Sequence, residues 1–265
     1  MILNELAGLS AASISLLILT GMIVGFLLAL TGGGGSVVCV PLLLYLVKMK
    51  DAHMVIGTSA MAVAVSALIN LFTHASGGNV RWKTGTIISL VAVAGAGFGA
   101  SLGKMVSGQY LLLPFSVLML VVAFVMLNKS RQTSTATTSL SHTSPHFITS
   151  YSAVFIVGIL AGFLGIGGGF LVVPLLVWLF GFTMLEAIAT SLMVVFAMGI
   201  STSISYALAD KVEPVTTVLI ILGGVIGGTI GVRLANRLKK NEKMINLIFS
   251  AMLIVMALYM LTKNL

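Results

Sequence analysis

Apolar runs of eighteen or more residues recur along the whole of this 265-residue chain. Runs of that length suit helices that cross a hydrocarbon core of about 30 Å. Only helices and closed barrels span lipid, because each backbone N–H and C=O must find its partner within the protein. Charged residues make up 8% of the chain and hydrophobic ones 58%, whereas a soluble domain carries about 25% charged residues. The chain therefore reads as an all-α, multi-pass protein of a cell membrane, with the lipid bilayer as its first partner. The net charge of +8 does not signal nucleic acid, since Lys and Arg fall between the apolar segments. Their densest cluster, Arg233, Arg237, Lys239, Lys240 and Lys243, fits a cytoplasmic loop under the positive-inside bias. Cys39 is the sole cysteine, so neither an internal disulfide nor a cysteine-rich metal site can form, and no cofactor is expected. The first residues hold Glu5 but no Lys or Arg, so 11–30 reads as a permanent span rather than a secretory signal.

The apolar segments fall at about 11–31, 36–48, 54–74, 84–103 and 109–127, and again at about 151–166, 169–182, 185–208, 214–235 and 244–262. Two transmembrane repeats, 1–128 and 151–265, are thus expected around a Ser/Thr-rich linker, 129–150, whose composition cannot bury a core. The repeat is explicit in the residues. Gly25-Phe26-Leu27, the run Gly32–Ser36 and Pro41 reappear as Gly162-Phe163-Leu164, Gly165–Gly169 and Pro174, the prolines at an offset of 133. Thr58-Ser59 matches Thr190-Ser191, and Gly95 and Gly99 match Gly227 and Gly231, at an offset of 132.

Equivalent loops carry unequal charge. The loop holding Lys104 is nearly bare, whereas its counterpart is the cluster at 233–243; Arg81 and Lys83 correspond to Glu213 and Val215. An inverted arrangement of five plus five segments puts equivalent loops on opposite sides and accounts for this through the positive-inside rule. It places nine Lys/Arg inside and five outside, against eight and six for a parallel four-plus-four arrangement with re-entrant 36–48 and 169–182.

The second segment of each repeat is too short. Val37–Val47 is eleven residues, about 16 Å of helix, where a span needs roughly twenty residues. Each such segment follows a glycine run and holds Pro41 or Pro174. Short, Gly/Pro-broken segments at matching positions of two halves point to a transporter's binding site. Unwound backbone at membrane depth must face protein or a wet cavity, and a helix starting there directs free N–H groups and a positive dipole end at an anion. The candidate substrate-binding residues of the runs are therefore Gly32, Gly33, Gly34, Gly35 and Ser36 with Gly165, Gly167, Gly168 and Gly169. A tight helix hairpin packed through glycine is the structural alternative. Thr58, Ser59, Asn70, Thr190 and Ser191 add neutral donors that bind an anion without burying a charge. Ser59, Ser66, Asn70 and Thr73 share one helix face, as do Ser191, Thr202 and Ser205 in the second copy; interhelical hydrogen bonding is the competing role. His74 and Tyr206 align near helix ends and read as interfacial.

Other motifs resolve into structure. No Lys-Ser or Lys-Thr follows the glycines, which excludes a Walker loop. Gly99-Ala100-Ser101-Leu102-Gly103 imitates a hydrolase elbow but sits inside an apolar helix. Gly95, Gly99 and Gly103, and Gly223, Gly227 and Gly231, recur every four residues and predict close helix packing. Thr183 and Glu186 have capping-box spacing, and Asp51 is the matching N-cap.

The duplicated order of glycine run, Pro and Thr-Ser resembles the sulfite exporter TauE/SafE family of membrane permeases over nearly the whole chain. The resemblance implies a transporter rather than an enzyme, moving small sulfur-containing anions such as sulfite or organosulfonates across the cytoplasmic membrane. Ser36 departs from its counterpart Gly169, so the two half-sites need not be equivalent. An exporter working by alternating access between two inverted halves is expected. Export of an anion runs downhill by about 2.3 kcal/mol per charge per 100 mV, whereas uptake needs a coupling cation, proton or sodium. An anion channel is the nearest rival, an intramembrane enzyme built on Ser36 or Ser101 with His74 a remoter one, and a homo-oligomer is compatible with all three.

Overall fold

The protein is described here from a computed structural model covering residues 10–106, 108–132, 147–164, 169–238 and 242–264. The described residues form ten helices. The first five are α1 (Ala11–Thr31), α2 (Gly34–Pro41), α3 (Ala52–Ala75), α4 (Trp82–Gly103) and α5 (Gly108–Gln132). The second five are α6 (Phe147–Leu164), α7 (Gly169–Leu179), α8 (Met184–Ala207), α9 (Pro214–Arg237) and α10 (Glu242–Asn264). By length and composition α1, α3, α4, α8 and α9 each suffice to cross a membrane, and shorter apolar stretches occur in the others. Large apolar side chains such as Leu90, Phe98, Phe124, Leu222 and Ile226 face outward, as lipid rather than water requires. Most of the linker expected at 129–150 lies outside the described residues.

The helix boundaries follow from local chemistry. Ser10 caps α1 by accepting from Ser13 N, and Gly32 ends it at φ 75°, its N–H donating to Leu28 O. Asp51 caps α3 through His53 N and Met54 N. Thr183 and Glu186 form the predicted capping box on α8. Pro41 has no N–H to continue the α pattern, and after it the chain widens into a π turn, Leu42–Leu46, closed by Val47 N on Leu42 O at 3.0 Å.

The two glycine stripes decide the packing. Added Cβ atoms at Gly223, Gly227 and Gly231 of α9 would collide with backbone at Ile18, Met22 and Phe26 of α1, residue numbers rising together. The pair is therefore parallel, with backbone pressed on backbone, the approach that small residues allow. In the same way Gly95, Gly99 and Gly103 of α4 press on Phe155, Ile159 and Phe163 of α6. The third helix of each set joins in register. On α3, Thr58, Ser66 and Asn70 meet Glu213, Gly224 and Gly228 around α9. On α8, Thr190 and Ser201 meet Gly85 and Gly97 of α4. The core thus consists of two triads, α1/α3/α9 and α4/α6/α8, each drawing helices from both halves of the chain. They meet along α3 and α8, where Gly199 sits against Ala60 and Ala64, while α5 packs on α10.

Each triad carries an ion pair: Asp51 Oδ2 with Lys211 Nζ at 2.7 Å, and Arg81 Nη2 with Glu186 Oε1 at 2.6 Å. The Lys211 ammonium, bonded to the Asp51 carboxylate, holds that acid below the usual carboxylate range. A depressed folded value stabilises the protein above the unfolded value of about 3.9, and the contribution disappears as pH falls through the folded value. Because the pair is partly exposed, Asp51→Asn should cost no more than about 1 kcal/mol. Thermal unfolding in detergent should show that small deficit at pH 6 and a shrinking one as pH falls below the unfolded value of about 3.9.

Candidate functional site

The two broken helices meet. The Cα region of Gly33 lies directly on the backbone of Gly169, so that a Cβ at Gly33 has no room. A Cβ at Gly169 would stand 2.5 Å from Val195 Cγ2 and 2.7 Å from Gly33 Cα. Val195 is the middle of α8, a helix long enough to span, so the crossing lies deep in the bundle. Gly32 needs its left-handed backbone to turn there, and Ser191 Oγ donates to its carbonyl at 3.0 Å and to Ile188 O at 2.8 Å. That shared hydroxyl is a polar tie between the two triads.

The turn is held from within. Thr31 Oγ1 accepts from Gly34 N at 2.9 Å and donates to Leu27 O at 2.6 Å. Ser36 Oγ donates to Gly33 O at 2.7 Å, and Ser36 N lies 3.3 Å from the same carbonyl. Three amides of the run, those of Gly32, Gly34 and Ser36, are thus already engaged. Gly35 packs on the Val24 carbonyl and Leu28. Residues Gly32–Ser36 and Gly169 are all buried; Gly165, Gly167 and Gly168 lie outside the described residues.

The remaining candidate residues are also buried but have separate duties. Thr58 Oγ1 accepts from Glu213 N at 2.9 Å, and Thr190 Oγ1 accepts from Arg81 N at 3.1 Å. These two threonines satisfy the exposed starts of α9 and α4 respectively, with each helix drawn from the opposite half. Ser59 Oγ donates to Ile56 O within its own helix at 3.0 Å. Asn70 Nδ2 reaches Gly25 O of α1 at 3.4 Å. The structure therefore gathers Gly32, Gly33, Ser36, Gly169 and Ser191 at one crossing, uses Thr58, Thr190 and Asn70 as helix-to-helix ties, and leaves Ser59 bonded within α3.

The polar face of α3 differs from expectation at its end. Thr73 is exposed and bonds to Ile69 O, whereas His74 is fully buried; Tyr206, 132 residues on in the sequence, is buried too. Both are interior residues rather than interfacial ones. The sequence carries no signal for the wall residues Val173 and Val195, nor for Thr31, the last residue of α1, whose hydroxyl accepts from Gly34 N. Among the residues whose burial the structure describes no Asp, Glu, Lys or Arg is buried, and among the described residues no group of three His, Cys, Asp or Glu could hold a metal. The chemistry available at the crossing is neutral: backbone amides, carbonyls and hydroxyls. A separate groove of about 330 Å³ between α5, α6 and α7 is walled by Val121, Val125, Val157, Pro174 and Trp178, side chains suited to apolar contact rather than to an anion.

Apolar helices of membrane-spanning length, with two short helices that start at the buried glycines Gly34 and Gly169, suit a membrane transporter. A sequence profile of the sulfite exporter TauE/SafE family matches residues 17–260, and the chain belongs to that family. A Xylella fastidiosa (strain Temecula1) protein named "Probable membrane transporter protein" is 39% identical over 245 residues, covering 92% of this chain and 94% of its own. The Bacillus subtilis protein named "Probable membrane transporter protein YunE" is 28% identical over 262 residues, covering 92% and 95%. No solved structure matches the chain.

Proposed function

We propose that the protein is a secondary transporter for small anions, sulfur oxyanions or organosulfonates, working by alternating access across a cell membrane. The observation that carries this reading is the contact of Gly33 with Gly169, braced by Ser191 on Gly32. Two helix starts converge there, and amide dipoles favour negative charge. The family description, sulfite exporter, supports the sulfur-anion class.

An inverted repeat fits the registers. Parallel α1/α9 and α4/α6 pairs, combined with the short α3–α4 and α8–α9 connections that reverse direction, run α1 against α6 and α3 against α8. The Arg81 end of α4 and the Arg233–Arg237 end of α9 then share one side, the positive and cytoplasmic one. The moving bodies in this reading are the two interlocked triads rather than the two sequence halves. Their seam is the Gly199–Ala60/Ala64 contact and the Ser191–Gly32 hydrogen bond. Burial of the described candidate residues corresponds to an occluded stage, which opening of the seam on either side would relieve.

Flux into proteoliposomes with sulfite, sulfate, thiosulfate, sulfoacetate and simple carboxylates tests the proposal. Trans-stimulated exchange of at least one sulfur anion is the expected result; currents far above transporter turnover would instead mean a channel. Ser191→Ala should lower that flux by about two- to tenfold, the worth of one net hydrogen bond. Unchanged flux in this variant would remove Ser191 from the site.

A further inference from the structure

His74 is a buried titratable group that the proposed anion site leaves unused. It lies in the last turn of α3 with no exposed surface, and its Nε2 is 3.0 Å from the Ala29 carbonyl in the last turn of α1. That carbonyl is among the last four of its helix, the ones that need an outside donor, so Nε2 carries the hydrogen. The other ring nitrogen, Nδ1, is buried with no hydrogen-bond partner among the described residues. A neutral imidazole in this tautomer presents a bare lone pair at Nδ1, the atom that takes up a proton. One turn earlier Asn70 grips the Gly25 carbonyl, so α3 holds α1 at successive turns, the second only three residues before Gly32.

The pseudo-equivalent position repeats the pattern. Tyr206 is fully buried, its hydroxyl unpartnered among the described residues, and its ring lies 6.0 Å from that of His53, whose Nδ1 is buried and unpartnered as well. Proton-carrying groups without partners therefore occur at both ends of α3.

We infer that His74 is a proton-binding site that couples proton movement to anion transport, an inference that rests on the transporter reading above. Uptake of a proton at Nδ1 forms one N–H bond, with the proton drawn from water and later returned to it. The cation that results sits at the negative end of the α1 dipole, which stabilises positive charge, while its burial opposes it. Close to the glycine turn, in surroundings of low dielectric, that cation attracts an anion far more strongly than it would in water. An anion and a proton thereby enter or leave together. Few charges compete. α1 carries no titratable residue. Arg233 and Arg237 at the end of α9 are exposed, Arg81 is paired with Glu186 at the start of α8, and His53 lies at the far end of α3.

Two measurements on the full chain decide the matter. In proteoliposomes, labelled sulfite is followed with and without an imposed pH gradient of about one unit, alongside gradient-free exchange. One proton per anion makes such a gradient worth about tenfold in accumulation. Wild type should show that rise. His74→Gln, which keeps a donor for Ala29 but cannot titrate, should lose the rise while retaining exchange; a full tenfold response in this variant overturns the inference. In parallel, nitrogen-15 NMR of the histidine side chains in nanodiscs, with His74 assigned by its absence from His74→Gln, follows its protonation from about pH 5 to 8. A resonance that stays neutral throughout overturns the inference even if sulfite and the other anions show no flux, an outcome that would separately defeat the transporter reading. A resonance that titrates, and whose midpoint moves when sulfite is added, upholds it.

Discussion

Gly33→Ala should abolish anion flux in proteoliposomes while leaving membrane insertion intact. The added methyl would fall on the backbone of Gly169, and backbone at a helix start cannot step aside as a flexible side chain can. Helix α2 would have to shift away from α7, pulling the Gly32 carbonyl from Ser191. A displacement of about 1 Å in a site of this kind costs on the order of a hundredfold in rate, so residual flux should lie below about 1% of wild type. Gly97→Ala is the matched control. Its nearest neighbour is the Ser201 hydroxyl at 3.4 Å, an ordinary contact, and its flux should equal wild type. Wild-type flux in Gly33→Ala would mean that the glycine crossing plays no part in transport.

The second large effect concerns folding. Gly227→Leu would push a branched side chain into the Met22 carbonyl along the α1–α9 contact, with that seam continued by Gly223 and Gly231 on either side. Overpacking in a flexible core costs about 1–3 kcal/mol; against two rigid backbones the cost should exceed that range and reach the exceptional class above about 4 kcal/mol. Monodisperse yield after detergent extraction should collapse, and any recovered protein should unfold at a much lower temperature. A yield and unfolding temperature like those of wild type would show that the two helices are not in backbone contact.

Much of this architecture was legible because its signals are local. Apolar length announced the membrane, the glycine–proline runs announced the breaks, and the spacing of Thr183 and Glu186 announced a capped helix start. The every-fourth-residue glycines announced that something comes close. Their partners could not be read, since a glycine stripe specifies intimacy and leaves the partner's identity to the assembled bundle; nothing local says that α4 will choose α6 or that α9 will choose α1. The same holds for Thr58 and Thr190. Each hydroxyl was visible as a donor or acceptor, but its partner is a backbone amide about 110 or more residues away, Arg81 for Thr190 and Glu213 for Thr58. The end of the α3 polar face was a matter of helical phase. Thr73 and His74 both fit a turn beyond Asn70, and only the lie of α1 across α3 selects His74 for the interior.

The exchange of helices between halves bears on how the chain is made. When a ribosome has released the first five helices, the glycine faces of α4 still lack α6, and α1 still lacks α9. Those naked backbone surfaces must wait in lipid, or in the care of the insertion machinery, until the second half arrives. Neither half should mature by itself. A break in synthesis or a cut between the halves should leave fragments that regain function only when both are expressed in the same membrane.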